Sequence, residues 1–160
     1  MSETRIGLGY DVHAFAEGRA LVLGGVEIEN ARGLAGHSDA DVLTHALMDA
    51  ILGAMRAGDI GAHFPDTDPV WAGVSSIALL VRVGGLMRAA GWSLVDADTV
   101  LVLESPRISP HRDTMRTRMA EALGVDASRI GLKATTTEGL GAMGRGEGVA
   151  AQAVVLLERS

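Results

Sequence analysis

The stretch His37-Ser38-Asp39-Ala40-Asp41-Val42-Leu43-Thr44-His45-Ala46-Leu47-Met48-Asp49-Ala50 decides how this chain of 160 residues is read. Turned through about 100° per residue, Leu43, Leu47, Ala50, Ile51 and Ala54 share one arc, the core face of an amphipathic helix. Asp41, His45 and Asp49 follow one another at i, i+4 and i+8 on a second, polar stripe. A solvated helix face favours Lys, Glu, Arg or Gln, and none of these occurs between His37 and Met55. The stripe uses Asp, Thr and His, which are mediocre helix formers. It reads equally as a face on a cleft or subunit interface and as a solvated face of unusual composition. Ser38 or Asp39 is the expected N-cap.

Outward from this helix, residues 5–15 form an opening strand with Ile6, Leu8 and Tyr10 on one face. Asp11 and His13 share the other face, because strand side chains alternate, and two such groups make half of a metal site. Two positions alone are equally well explained as surface residues. Residues 21–28 read as a hairpin about Gly24-Gly25. Residues 58–69, with two Pro, two Gly and three Asp, are a loop in which Asp serves as a turn cap. A second helix over residues 75–91 turns Ile77, Leu80, Val81 and Met87 inward, and its Gly84-Gly85 implies a close approach of another element. A buried strand covers residues 93–104. Ser109 and Pro110 open a third helix with Met115, Met119, Ala122 and Leu123 inward, ending at Gly124. Strands at residues 129–137 and 149–157 complete the chain. The fold class expected is α+β: a single domain over residues 1–160 with a mixed sheet of about four strands, helices packed on one face, and a small hairpin.

Hydrophobic residues make up 48% of the chain and aromatics 3%, so the core of this one domain is aliphatic and methionine-rich. A net charge of −6 argues against nucleic acid or an anionic membrane as partner. With no cysteine, disulfides and thiolate ligands are excluded, and any metal is held by His and carboxylates. No apolar span or leader is evident, and the expected location is cytoplasmic.

The last two strands are joined by Lys133-Ala134-Thr135-Thr136-Thr137-Glu138-Gly139-Leu140-Gly141-Ala142-Met143-Gly144-Arg145-Gly146-Glu147-Gly148. Gly139, Gly141 and Gly144 match the dinucleotide pattern GxGxxG, but a strand follows where that fingerprint needs a helix and a further βαβ half. What remains is a phosphate-type environment: free backbone N–H groups, Thr hydroxyls, Lys133 and Arg145. Glu138 and Glu147 suit such a place only if a divalent cation stands between carboxylate and phosphate. The competing reading is a hairpin whose glycines serve turn geometry alone.

Taken in order, Asp11-x-His13, His37-Ser38-Asp39-x-Asp41 with His45, Asp59-Ile60-Gly61 with Phe64-Pro65-Asp66-Thr67-Asp68-Pro69, and the Lys133 to Gly148 block resemble the 2-C-methyl-D-erythritol 2,4-cyclodiphosphate synthase family of the non-mevalonate isoprenoid pathway. The resemblance implies Zn²⁺ on Asp11, His13 and His45, and the helical spacing adds Asp49, one turn beyond His45, as an outer partner that orients a ring. It implies Mg²⁺ or Mn²⁺ on Glu138 and the substrate phosphates, and catalytic roles for Glu138, Thr136, His37 and Ser38. Asp59 and Gly61 are expected near the erythritol part, and Asp66 among the substrate-binding residues. Ser105, Pro106, Arg107 and Ile108 are expected around the cytidine, and Thr135, Thr136 and Arg145 on phosphate. The family's homotrimeric state, with sites between subunits, is implied as well. Two places depart from the family: Ala142-Met143, where members often carry an aromatic residue, and Gly139, where many carry Lys or Arg.

The implied reaction converts 4-diphosphocytidyl-2-C-methyl-D-erythritol 2-phosphate into the cyclic diphosphate with release of CMP. Two alternatives stand beside it at this point. One is a metal-dependent phosphohydrolase acting on a nucleotide diphosphate conjugate, in which water attacks instead. The other is a non-enzymatic trimeric nucleotide-binding protein.

Overall fold

In the computed structural model, which describes residues 2–160, the chain opens with the long strand β1 (Glu3–Ala16). The short strands β2 (Leu21–Leu23), β3 (Val26–Ile28) and β4 (Gly33–Leu34) come before helix α1 (Val42–Met55). A single turn of helix, α2 (Ile60–His63), leads to α3 (Ser76–Ala89) and β5 (Ser93–Val102). Then follow α4 (Arg112–Leu123), β6 (Ile130–Thr135), the short α5 (Gly141–Gly144) and β7 (Gly148–Arg159). The main sheet has the order β4-β1-β7-β5-β6, and β2 and β3 form a separate hairpin. Only β5 and β6 run parallel, so the sheet is mixed, as expected.

The sheet has five strands rather than about four. The added strand, β4, pairs only Gly33 and Leu34 with the end of β1, and two residues are too few for any alternation to be legible. Strand β5 lies between β6 and β7, so the glycine-rich segment does not close a hairpin. It crosses the end of β5 instead, and its helical content is limited to the single turn of α5.

Helix α1 is buried almost all round, with Val42 to Met48 and Ala50 to Leu52 inaccessible or nearly so. It lies on β1 and β7 and is flanked by α3. A helix so placed needs no solvated face, which removes the ambiguity over its polar stripe. Glycines set how close it sits. A Cβ on Gly7 would fall 1.9 Å from the Ala50 carbonyl oxygen, and one on Gly9 1.8 Å from that of Ala46. Backbone of strand and backbone of helix are therefore in direct contact, with Ala46 and Ala50 completing the small-residue seam.

The N-cap of α1 is Asp41, not Ser38 or Asp39. Its fully buried carboxylate accepts from Thr44 N–H at 3.1 Å and Thr44 O–H at 2.8 Å, and from Gly24 and Gly25 N–H at 2.9 and 2.7 Å. One side chain thus caps the helix and pins the β2–β3 turn to it, where both glycines have positive φ, as a two-residue hairpin turn requires. Burial pushes the Asp41 carboxyl up from its ordinary value, against the donors that favour its charged form.

Helix α3 is capped by Ser75 and buries Leu79, Leu80, Val83 and Met87, whereas Val81, expected inward, faces out. The buried arc is set by contact with α4, where a Cβ on Gly84 would come within 3.3 Å of Leu123; Gly85 has open space around it. Helix α4 buries Met115, Met119, Ala122 and Leu123 as expected. Its regular part begins at Arg112, since Ser109, Pro110 and His111 form a tighter 3₁₀ turn with no side-chain cap.

Candidate active site

Strand β1 and helix α1 meet where Asp11, His13 and His45 converge. The two strand residues share a face because they stand two apart. His45 reaches them from the first turn of α1, which the glycine seam holds against the strand. Asp11 Oδ2 lies 2.9 Å from His13 Nε2 and 3.1 Å from His45 Nδ1, and the two ring nitrogens are 3.3 Å apart. Ligands at tetrahedral zinc, bound at about 2.0–2.1 Å, are separated from one another by roughly 3.3 Å. The triangle therefore has the dimensions of one face of such a site.

The protons point the same way. His13 Nδ1 is 2.6 Å from the Ala35 carbonyl, which can only accept, so this nitrogen carries the hydrogen and Nε2 turns a lone pair toward the Asp11 carboxylate. Two electron-rich atoms in contact call for a cation between them or a proton on the ring. Burial by itself pushes the Asp11 carboxyl up, yet the His13 and His45 rings beside it hold it down at about 2. The same bond to Asp11 raises the His13 imidazole, against burial. The donor set of one carboxylate and two imidazoles fits a divalent metal, and it is the only such triad found among the described residues.

The triangle opens on a cavity of about 430 Å³. His37, Ser38, Gly61 and Asp66 line it together with the metal-type residues, as do Ile60, Phe64, Pro65, Trp71, Val74 and Leu79. Three predicted sets from loops far apart in sequence are thereby brought together. Phe64 and Trp71 pack edge to face at 5.1 Å, and the Arg82 guanidinium stands 5.1 Å from the Trp71 ring, which stiffens an apolar wall opposite the triangle. Asp59 does not line the cavity; it caps α2 by accepting from Ala62 N–H at 2.9 Å. Asp68 caps the turn that follows by accepting from Val70 N–H at 3.0 Å.

The role expected for Asp49 is corrected. Its carboxylate accepts from Ile60 N–H at 2.9 Å and so ties α2 to α1, although i,i+4 spacing sets it beside His45, whose two ring nitrogens are already engaged by other residues. The Nε2 of His45 is instead 2.8 Å from Ser76 Oγ and 3.1 Å from Ser38 Oγ.

A second cavity, of about 220 Å³, lies at the same end of the sheet but on its β5–β6 side, where those two strands give way to loops. Pro106, Arg107, Ile108, Thr135 and Thr136 line it, with Glu104 and Arg112, which the sequence did not single out. Ser105, joined to Pro106 by a cis peptide bond, is exposed beside it. The two cavities share no lining residue. Lys133, a candidate cation for phosphate, pairs with Asp98 at 2.5 Å on the neighbouring strand. Arg145 is exposed and pairs with Glu147 at 2.5 Å.

Glu138 is exposed and holds a φ of 55°, a left-handed conformation that costs a non-glycine residue about 1 kcal/mol or more. Glu104 supports it. One of its carboxylate oxygens accepts from Thr137 N–H at 3.0 Å and Gly139 N–H at 3.4 Å, so the residues on both sides of Glu138 are gathered on one group, while the Thr137 hydroxyl donates to the Leu140 carbonyl at 2.6 Å.

Comparison with known proteins agrees with this geometry. The family model described as the YgbB family matches residues 4–158. A 2-C-methyl-D-erythritol 2,4-cyclodiphosphate synthase of Synechococcus elongatus is 54% identical over 159 residues, covering 99% of both chains. One of Geotalea uraniireducens is 57% identical over 155 residues, covering 97% of this chain and 99% of the relative. Among solved structures, the bifunctional IspDF of Campylobacter jejuni superposes with a TM-score of 0.96 at 42% identity, over 100% of this chain and 43% of that longer one. IspF of Plasmodium falciparum in its CDP complex gives a TM-score of 0.85 at 32% identity, over 98% and 97%. Fold, ligand triangle and near-full-length identity agree, and the chain belongs to the YgbB family of 2-C-methyl-D-erythritol 2,4-cyclodiphosphate synthases.

Proposed function

We propose that the chain converts 4-diphosphocytidyl-2-C-methyl-D-erythritol 2-phosphate into 2-C-methyl-D-erythritol 2,4-cyclodiphosphate, releasing CMP, as a homotrimer in the cytoplasm. The observation that carries this reading is the Asp11, His13 and His45 triangle open to a cavity walled by His37, Ser38 and Gly61, in a chain whose relatives bear that enzyme's name.

In this reading Asp11, His13 and His45 hold Zn²⁺, and Glu138 with the substrate phosphates holds Mg²⁺ or Mn²⁺. When bound, these ions supply Lewis-acid withdrawal of charge from phosphoryl oxygens. The 2-phosphate oxygen bonds to the β-phosphorus, the bond from that phosphorus to the bridging oxygen breaks, and CMP leaves with the electron pair. A phosphate nucleophile is already anionic near neutral pH, so no residue has to remove a proton. That suits a cavity furnished with hydroxyls, backbone groups and imidazoles rather than a serine–histidine pair. His37 and Ser38 contact the reacting phosphates, and Gly61 and Asp66 bound the erythritol carbons, with Asp59 at the α2 N-terminus nearby. Phe64, Trp71, Val74 and Leu79 keep water from the β-phosphorus, which separates cyclisation from hydrolysis. Pro106, Arg107 and Ile108, with Ser105, cradle cytidine, while Thr135, Thr136 and Arg145 hold phosphate.

Two features support the trimer. The sheet face away from α1 carries Ile6, Leu8 and Tyr10 at 68, 69 and 56% exposure, with Val12 and Val154 beside them, an apolar surface of the kind that marks an interface. The cytidine-type cavity and the triangle share no residue within one chain, and a site completed by a neighbouring subunit brings the two together.

The test is phosphorus NMR of the products formed from this substrate in ¹⁸O-labelled water with zinc and magnesium present. Cyclic diphosphate and CMP without label are expected. Label in a linear diphosphate product establishes a hydrolase instead, and absence of turnover by metal-loaded protein removes the enzymatic reading.

A further inference from the structure

The hydrogen bonding behind His45 settles which of its nitrogens faces the triangle. Asp39 Oδ2 accepts from Ser76 N–H at 3.0 Å, and Asp39 Oδ1 accepts from Asp41 N–H at 3.2 Å. The Ser76 hydroxyl also meets Asp39 Oδ1 in a short contact, and since a carboxylate can only accept, Ser76 is the donor there. Having spent its only proton on Asp39, Ser76 Oγ offers lone pairs to His45 Nε2 at 2.8 Å. The ring therefore carries a hydrogen on Nε2, and Nδ1 is the nitrogen turned to the triangle, 3.1 Å from Asp11 Oδ2 and 3.3 Å from His13 Nε2. Ser76 is fully buried, so no water competes for this arrangement.

Backbone contacts hold the relay in place. Asp39 N–H donates to the Val74 carbonyl at 3.2 Å and Gly73 N–H to the His37 carbonyl at 2.9 Å. The loop before α1 and the loop before α3 are thus clasped together, and the clasp delivers Ser76 to the far side of the His45 ring.

We infer that Asp39 and Ser76 are positioning residues that lock His45 in its Nε2–H tautomer and thereby ready its Nδ1 as a metal ligand. This rests on the metal reading of the triangle. Ser38, whose hydroxyl stands 3.1 Å from the same nitrogen, is a second acceptor that cannot be held in place by Asp39, which is already committed to Ser76.

The experiment uses the full chain stripped of metal, with Ser76→Ala and Asp39→Asn variants. Long-range ¹H–¹⁵N NMR reads the His45 tautomer, competition with a chromogenic chelator reads zinc affinity, and thermal melting of the metal-free forms checks folding. Wild-type protein is expected to show His45 as Nε2–H. Ser76→Ala is expected to mix the two tautomers and weaken zinc binding about ten- to a hundredfold, the usual effect of removing an outer-shell partner. Asp39→Asn, which keeps the volume and one acceptor oxygen, falls between, and it carries the test should Ser76→Ala not fold. An Nδ1–H ring in wild-type protein overturns the inference, as does zinc affinity within twofold of wild type in both variants. Failure of the wild-type protein to take up zinc overturns the metal reading of the triangle instead, and the tautomer measurement still decides the lock.

Discussion

Replacing Gly9 by Ala tests whether the spacing between strand and helix governs both stability and the metal site. The added Cβ would lie 1.8 Å from the Ala46 carbonyl oxygen and 2.8 Å from Ala50 N. Real Cβ contacts are essentially never under 3.0 Å, so α1 must retreat from β1 by at least 1.2 Å, the step from 1.8 to 3.0 Å. Both colliding groups are backbone, and no side chain can swing aside. Overpacking of this kind costs about 1–3 kcal/mol, and the upper end applies where nothing flexible can yield. For a domain of this size about 3 kcal/mol corresponds to a fall in Tm of roughly 6–12 °C. The same retreat carries His45 away from Asp11 and His13, and metal sites tolerate only about 0.2 Å in each bond. Scanning calorimetry at fixed protein concentration and zinc content after exhaustive dialysis are the assays, with Gly53→Ala as control. A Cβ at Gly53 has only the Leu8 carbonyl at 3.9 Å nearby, and there alanine is expected to be neutral or stabilising by up to about 1 kcal/mol. A Gly9→Ala protein that melts within 2 °C of wild type (well under the roughly 6 °C expected) and binds zinc fully would refute the argument.

Separate changes of Asp11, His13 and His45 to Ala are each expected to abolish zinc binding, while Glu138→Ala keeps zinc and lowers turnover; unchanged zinc stoichiometry in all three ligand variants would refute the assignment. Glu104→Gln removes the charge on which Thr137 and Gly139 converge, and kcat is expected to drop about tenfold with zinc content unaffected, given that a hydrogen bond to a charged group is worth about 1.5–3 kcal/mol. Asp41 is raised by burial, so the folded chain holds its proton more tightly than the unfolded one does. Its contribution is therefore most favourable below the ordinary carboxylate pKa and diminishes as pH rises through the folded value. Between pH ~4 and neutrality Asp41→Asn should lack that component, seen as a difference in slope when urea-unfolding stability is plotted against pH; parallel curves would count against it.

What was legible in the sequence was each element's own periodicity and the order of the motifs. A period of two put Asp11 and His13 on one side of β1, and a period of 3.6 made α1 helical with His45 on a polar stripe. Capping chemistry was readable in type more than in place: Asp41 displaced Ser38 and Asp39 because its second oxygen is engaged by the Gly24-Gly25 turn, and Ser75, expected inside α3, is its cap. The ordered blocks brought the family into view, and the aliphatic composition foretold a core with few rings.

The tertiary structure decided distances between axes and partners across loops, neither of which periodicity contains. That β1 presents Gly7 and Gly9 to α1 and leaves Ile6, Leu8 and Tyr10 outside follows from backbone-to-backbone packing, which only the crossing of the two elements defines. Asp49 was placed behind His45 by helical spacing, but it points to Ile60, and the partner of the ring is Ser76, 31 residues further on. A hydroxyl with one proton, a carboxylate that can only accept and a buried ring leave a single consistent assignment of hydrogens. That assignment came into being when two loops closed on each other.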